Sequence, residues 1–428
     1  MSPPDAVRLR RWQTLTVGVL FAGYAGYYVC RSNLSVATPL LVADPALGVS
    51  KAWLGTVASA GLMAYAAGKL VNGFLADRLG GRLLFLVGLF GSAGCVALLP
   101  LLPPASGGFL LGWAANRFAQ SMGWGGVVQL AARWFPADRL GTVMGFLCMS
   151  YLLGDAAARL FLGGLVRAGA DWKGLFVGSA ATLAVVGAGV LLLLRGRPAA
   201  VGLPEPPPPP GNLFGADAGD TRVSLWQQVG PLVASPAFWL VAGMNVGLTL
   251  IRETLNFWNP TYLNEVAGFD PGAAGMASLL FPLVGAGAAL AGGWLIDRTG
   301  GRFGPVVLPA LAGLTAALAA LAAAGATGPA AVALTCGAAL FLAAPYTFCS
   351  GVLAARMGGQ RAGATAAGLI DAAGYLGGVV GLAAVGRLST SHGWGTAFAA
   401  LAAVAGLTLL VGVAFAARER RGRIESPP

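Results

Sequence analysis

The sequence predicts an all-α polytopic membrane protein, twelve helices arranged as two related six-helix halves. Three observations carry that prediction. Hydrophobic residues make up 57% of the chain and charged residues only 10%, against about 25% charge in an average soluble domain. The apolar residues gather in continuous runs long enough for a membrane helix, as in Leu83 to Leu102, whereas a membrane barrel strand alternates apolar and polar positions. A ten-residue loop motif occurs twice, 220 residues apart, and marks an internal repeat.

Taken in order, the first span covers 14–42 and follows Arg8, Arg10 and Arg11. It is too long for a signal peptide and has no small-residue cleavage site. Spans two and three, 52–76 and 83–102, flank the first copy of the loop motif. Spans four and five, 108–132 and 140–166, are separated by the basic turn Arg133 to Arg139. Span six, 174–194, opens just after Trp172. The polar stretch 195–233, with its run Pro206–Pro210, is expected to be an extended, solvated linker. Spans seven to twelve follow at 234–266, 272–296, 304–324, 330–354, 362–388 and 393–416. The chain therefore divides into a bundle over 1–194, a linker over 195–233 and a bundle over 234–428.

The net charge of +11 is a matter of topology rather than of nucleic-acid binding. With twelve spans, both termini and the even-to-odd loops share one side, which holds eighteen Lys and Arg residues against four on the other. That excess predicts cytoplasmic termini. The five cysteines are scattered through apolar runs with neither disulfide nor metal-ligand spacing, so they read as packed thiols.

The repeat is written in several places. Gly73-Phe-Leu-Ala-Asp77-Arg78-Leu-Gly-Gly-Arg82 follows span two, and Gly293-Trp-Leu-Ile-Asp297-Arg298-Thr-Gly-Gly-Arg302 follows span eight. Arg139 and Arg361 precede spans five and eleven at a separation of 222, and Trp172 and Trp394 lie the same 222 apart. Since each half has an even number of spans, the two halves share an orientation across the membrane.

The duplicated loop resembles the signature of the major facilitator superfamily. In that reading Asp77, Arg78, Arg82, Asp297, Arg298 and Arg302 form a cytoplasmic gate that pairs with helix ends. A narrower resemblance, to the organophosphate:phosphate antiporter family, lies in Gly23-Tyr24-Ala-Gly-Tyr27-Tyr28-Val-Cys-Arg31-Ser-Asn33 of the first span. It continues through Lys69, Met122-Gly123-Trp124, Arg133-Trp134, Arg252 with Trp258-Asn-Pro260-Thr-Tyr262, and Gly374-Tyr375-Leu-Gly-Gly378. The sequence departs from the family pattern at Ser32, Tyr151, Glu253 and Asp371.

Eight charges fall inside the spans away from their ends: Arg31, Lys69, Arg117, Arg159 and Arg252 against Asp155, Glu253 and Asp371. Each costs a few kcal/mol at the bilayer centre, so such residues face a bundle interior or an aqueous path. The surplus of two positive charges favours an anion. Arg31 and Arg252 are 221 residues apart, close to the repeat offset, so they occupy equivalent places on spans one and seven. Two guanidinium forks converging there can hold a phosphate bidentately. The resemblance implies the same clamp at these two positions. Tyr24 and Tyr28 precede Arg31 on one helical face. Lys69, Trp124, Tyr151 and Tyr375 are further candidates for the substrate path. Asp155 and Arg159, four apart, read as a local ion pair, and Glu253 and Asp371 as charge compensation.

No phosphate-binding loop of the G-x-x-x-x-G-K-[ST] type occurs, and no metal-ligand cluster, so neither enzyme activity nor a cofactor or metal is expected. His392, the only histidine, lies at the external end, so an intramembrane histidine relay is not expected. The reading is a monomeric secondary transporter of a bacterial inner membrane. It takes a small-molecule phosphorylated substrate, such as a sugar phosphate or glycerol phosphate, in exchange for inorganic phosphate. Its only other expected partner is the lipid bilayer, with no nucleic acid. A proton-coupled organic-anion carrier using Asp371 or Glu253, and a non-transporting sugar-phosphate sensor, are the alternatives.

Overall fold

The computed structural model describes residues 3–206, 224–269, 274, 277–325 and 327–421, and among them every regular element is a helix. Helices α1 (Pro3–Tyr27) and α2 (Val29–Ala43) make the first span, interrupted at Tyr28. The second and third spans are α3 (Lys51–Leu79) and α4 (Gly81–Leu98). Helices α5 (Gly107–Gln120) and α6 (Met122–Trp134), interrupted at Ser121, form the fourth. Helices α7 (Leu140–Arg167) and α8 (Trp172–Leu193) complete the first bundle. After the short α9 (Leu225–Ala234), the second bundle consists of α10 (Pro236–Glu265), α11 (Leu280–Arg298) and α12 (Gly304–Ala324). It continues with α13 (Gly328–Gly359), α14 (Arg361–Ser389) and α15 (Ser391–Arg420).

Among the described residues, eight helices are long and apolar enough to cross a membrane, or nine when the bent pair α9–α10 counts as one span. The other three of the twelve expected spans are the first, second and fourth. The interruptions at Tyr28 and Ser121 leave α2, α5 and α6 at 15, 14 and 13 residues, too short to cross alone, while α3 is long enough but carries Lys69, Asp77 and Arg78. These three spans also bring Arg31, Lys69 and Arg117 into the membrane region.

The linker departs from its expected extended form. Ser224 Oγ accepts from the Gln227 N–H at 3.2 Å, and the Gln227 side chain accepts from the Ser224 N–H at 2.8 Å. This reciprocal cap starts α9, which meets α10 at an 83° bend. Gln228 then donates to the Arg361 carbonyl at 2.9 Å and fixes α9 to the beginning of α14. Residues 207–223, with most of the proline run and Arg222, lie outside the described residues, as does Arg423.

Two glycine seams join the bundles. Helix α3 packs along α14, and α7 packs along α11. By the sequence repeat, α3 corresponds to α11 and α7 to α14, so the same contact is made twice. A Cβ on Gly73 would lie 2.6 Å from the Ala364 carbonyl oxygen, and one on Gly145 would lie 2.6 Å from the Ala289 carbonyl oxygen. Only small residues permit backbones this close. At one end of each seam a carboxylate caps a helix of the opposite bundle. Asp77 accepts from the Ala364 and Thr365 N–H groups at 3.1 and 2.6 Å, at the start of α14. Asp297 accepts from the Gly141 and Thr142 N–H groups at 2.9 and 2.7 Å, at the start of α7. Helix N-termini carry partial positive charge, so these caps tie bundle to bundle electrostatically as well as by hydrogen bonds. Both lie on the side where the chain begins and ends, and that side is closed.

Arg82 completes the arrangement at a helix C-terminus, donating to the Leu194 and Leu191 carbonyls at 2.7 and 2.9 Å. Arg78 lies over the Phe74 ring at 5.9 Å and Arg298 over the Trp294 ring at 4.3 Å, while Arg302 is exposed. Of the six residues in the expected gate, the two aspartates therefore make the contacts between bundles.

Candidate functional site

Between the bundles lies a cavity of about 570 Å³. Its first-bundle wall includes Tyr28, Arg31, Arg117, Tyr151 and Asp155, and its second-bundle wall includes Arg252, Glu253, Asn256, Asn259 and Tyr375. These residues run from the middle of their helices toward the ends away from the termini. The cavity therefore opens on the side opposite the aspartate caps, and the side chain of Arg159 at its mouth is 51% exposed.

Arg31 sits in the first turn of α2, directly after the interruption at Tyr28. Its Nε donates to Gln120 Oε1 at 3.0 Å and its Nη1 to the Tyr28 hydroxyl at 3.0 Å. The guanidinium carbon lies 4.6 Å from the Tyr28 ring centre and 4.8 Å from that of Tyr65. Its Nη2 is buried without a hydrogen-bond partner. Arg252, from the opposite bundle, is ion-paired with its neighbour Glu253. It lies over the rings of Tyr346 at 4.3 Å and Tyr151 at 5.6 Å, and its Nε is also buried without a hydrogen-bond partner.

Lys69 and Asp371 pair at 2.8 Å across the two bundles, each side chain only 4% exposed. They line a small inner pocket of about 20 Å³ together with Tyr24, Trp124 and Tyr346. A buried pair of this kind is a structural tie, because removing one partner strands the other at a cost of about 3–5 kcal/mol. Asp155 and Arg159 form the expected local pair at 2.9 Å, with Ser32 Oγ donating to Asp155 at 2.5 Å. That pair is 36–51% exposed and contributes little to stability.

The structure thus brings Arg31, Arg252, Tyr28, Tyr151 and Tyr375 to the main cavity. Tyr24, Lys69 and Trp124 lie on the inner pocket instead. Trp124 donates to the Ser350 carbonyl at 3.3 Å, a contact between bundles. Arg117, one of the eight charges counted in the spans, lines the main cavity and donates to Gln120 Oε1 at 2.8 Å. Sequence reasoning missed Tyr65, Gln120 and Tyr346. Two of them left a signal: Tyr65 is four residues before Lys69, and Gln120 is three after Arg117, so each shares a helical face with a charge already singled out.

The electrostatic balance follows from the pairing. Among the described residues, Lys69, Arg159 and Arg252 each have a carboxylate partner, whereas Arg31 and Arg117 have none within ion-pair distance. The surplus of two positive charges therefore belongs to those two guanidinium groups.

Residues 20–365 match the sequence profile of the Major Facilitator Superfamily. Among relatives, the chain is 28% identical over 391 residues to the glycerol-3-phosphate transporter of Bacillus subtilis (strain 168), covering 88% of this chain and 86% of that one. It is 26% identical over 435 residues to a probable hexose phosphate transport protein of Chlamydia muridarum, covering 96% and 92%. Identity to the membrane sensor protein UhpC of Salmonella typhimurium is 27% over 422 residues, covering 94% and 91%. The fold is similar to that of the Escherichia coli fucose:proton symporter FucP, with a TM-score of 0.69 at 16% identity over 95% of this chain and 98% of that one.

Proposed function

The chain belongs to the Major Facilitator Superfamily, and from that premise we propose that it exchanges a small organophosphate for inorganic phosphate by alternating access. The relatives match the organophosphate:phosphate antiporter family, and they include a glycerol-3-phosphate transporter and a probable hexose phosphate transport protein beside a membrane sensor. The observation that carries the reading is the cavity's two guanidinium groups without a carboxylate partner. A phosphate monoester, close to a dianion at neutral pH, matches that surplus, and the planar guanidinium fork matches its oxygens.

Exchange follows from the same electrostatics. When the cavity is empty, closing the open side would bury the two unpaired guanidinium groups of the first bundle without a counter-charge, and a bound phosphate supplies that counter-charge. The loaded carrier reorients more readily than the empty one. In the state described, the glycine seams and aspartate caps close the termini side and the opposite side is open. With the basic loops and both termini in the cytoplasm, this is an outward-open state of a protein of the bacterial inner membrane. The carrier works as a monomer.

Proteoliposomes loaded with inorganic phosphate are expected to take up external labelled phosphate without an imposed pH gradient, and those loaded with an inert anion to take up little. Uptake that needs an inward proton gradient and ignores internal phosphate would move coupling to Asp371 or Glu253. Phosphate binding without flux would fit a sensor.

A further inference from the structure

Of the five basic side chains singled out within the spans, only two lack a carboxylate partner among the described residues, and both come from the first bundle. Arg31 on α2 and Arg117 on α5 donate to one and the same atom, Gln120 Oε1, at 3.0 and 2.8 Å. Both guanidinium carbons lie 4.8 Å from the centre of the Tyr65 ring. A neutral amide oxygen and an aromatic ring soften the repulsion between two such cations without neutralising either.

The acceptor is held in place from behind. Gln120 is fully buried, and its Nε2 donates to the Cys30 carbonyl at 3.1 Å and to Asn116 Oδ1 at 3.0 Å. Ser92 donates to that same Asn116 oxygen at 2.6 Å, and Asn116 in turn donates to the Cys30 carbonyl at 3.2 Å. With its amide nitrogen engaged on that side, Gln120 turns its oxygen to the arginines. The network fixes both guanidinium groups at the cavity wall before any ligand arrives, so little ordering remains to be done on binding. Across the cavity, Arg252 is already neutralised by Glu253, with Asn256 and Asn259 on the same wall.

We propose that Arg31 and Arg117 together form the phosphate seat on the first bundle, and that the remainder of the substrate lies against Asn256 of the second. This rests on the organophosphate reading above and sharpens it. The substrate class is a phosphate monoester whose other end is neutral and hydroxylated: the phosphate dianion matches the two free charges, and amide groups bond hydroxyls. Inorganic phosphate fills the seat alone.

The test compares binding of inorganic phosphate and of glycerol-3-phosphate to the purified protein and its variants, with melting temperature followed alongside. Arg117→Gln is expected to weaken both ligands by about tenfold to a hundredfold, the loss of a charge-assisted contact. Arg117→Lys, which retains the charge, should recover part of the loss and serves in place of Arg117→Gln if that variant does not fold. Asn256→Ala is expected to weaken glycerol-3-phosphate by several-fold while leaving inorganic phosphate bound as in the parent. Parental affinity for both ligands in folded Arg117 variants, with Arg31→Gln defective, overturns the two-arginine seat and leaves the transport reading standing. Parental affinity in the Arg31 and Arg117 variants alike overturns the organophosphate reading itself. Equal weakening of both ligands by Asn256→Ala overturns the polarity.

Discussion

Arg31→Lys is expected to reduce phosphate affinity about a hundredfold, although it keeps the positive charge. The parent guanidinium uses one nitrogen on Gln120 and another on Tyr28 and still holds a buried, unpartnered Nη2 beside the cavity. A lysine ammonium is a single point on a flexible stem. It cannot satisfy Gln120, stack between Tyr28 and Tyr65, and present two N–H groups to a phosphate at once. Arg252→Lys should lose less, about tenfold, because part of that guanidinium already serves Glu253. The measurement is equilibrium binding of labelled phosphate to detergent-purified protein, with melting temperature as the control for folding. Near-parental affinity in both lysine variants would contradict a site built on guanidinium geometry.

Gly293→Leu is expected to open the termini side. A side chain at this position runs into the Gly141 carbonyl across the α7–α11 seam, and a helix backbone cannot yield as a flexible side chain can. Overpacking of this kind costs about 1–3 kcal/mol, and the cheapest relief is separation of the two helices. That separation also withdraws Asp297 from the Gly141 and Thr142 N–H groups it holds. Hydrogen exchange at residues 141–145 should accordingly accelerate about tenfold or more, with the cavity side becoming less accessible. Unchanged protection there would mean that the glycine seam does not set the conformational balance.

The parts legible in the sequence were those encoded locally or by repetition. Apolar run length placed the spans, and two copies of one loop marked Asp77 and Asp297 as equivalent before any contact was known. The i, i+4 spacing of Asp155 and Arg159 sufficed for their ion pair. What stayed hidden depends on the packing of one bundle against the other. Lys69 and Asp371 are 302 residues apart, and no local rule pairs them. The surplus of two charges could be counted from the sequence, but its assignment to Arg31 and Arg117 had to wait for the other three pairings. Gln120 was passed over because a neutral amide in an apolar helix reads as packing until its hydrogen bonds to two arginines are seen. Helix α9 was obscured by the proline-rich stretch before it, although its capping pair, Ser224 and Gln227, stands in the sequence.

The central claim is exchange of a phosphate monoester for inorganic phosphate through the cavity that Arg31 and Arg252 line from opposite bundles. Its most direct test is efflux from proteoliposomes loaded with labelled inorganic phosphate, at equal pH inside and out. External glycerol-3-phosphate or a hexose phosphate should release the label in step with its own uptake, while glycerol, glucose and buffer alone should release almost none. Efflux indifferent to the external organophosphate, or efflux that appears only under a proton gradient, would contradict the account.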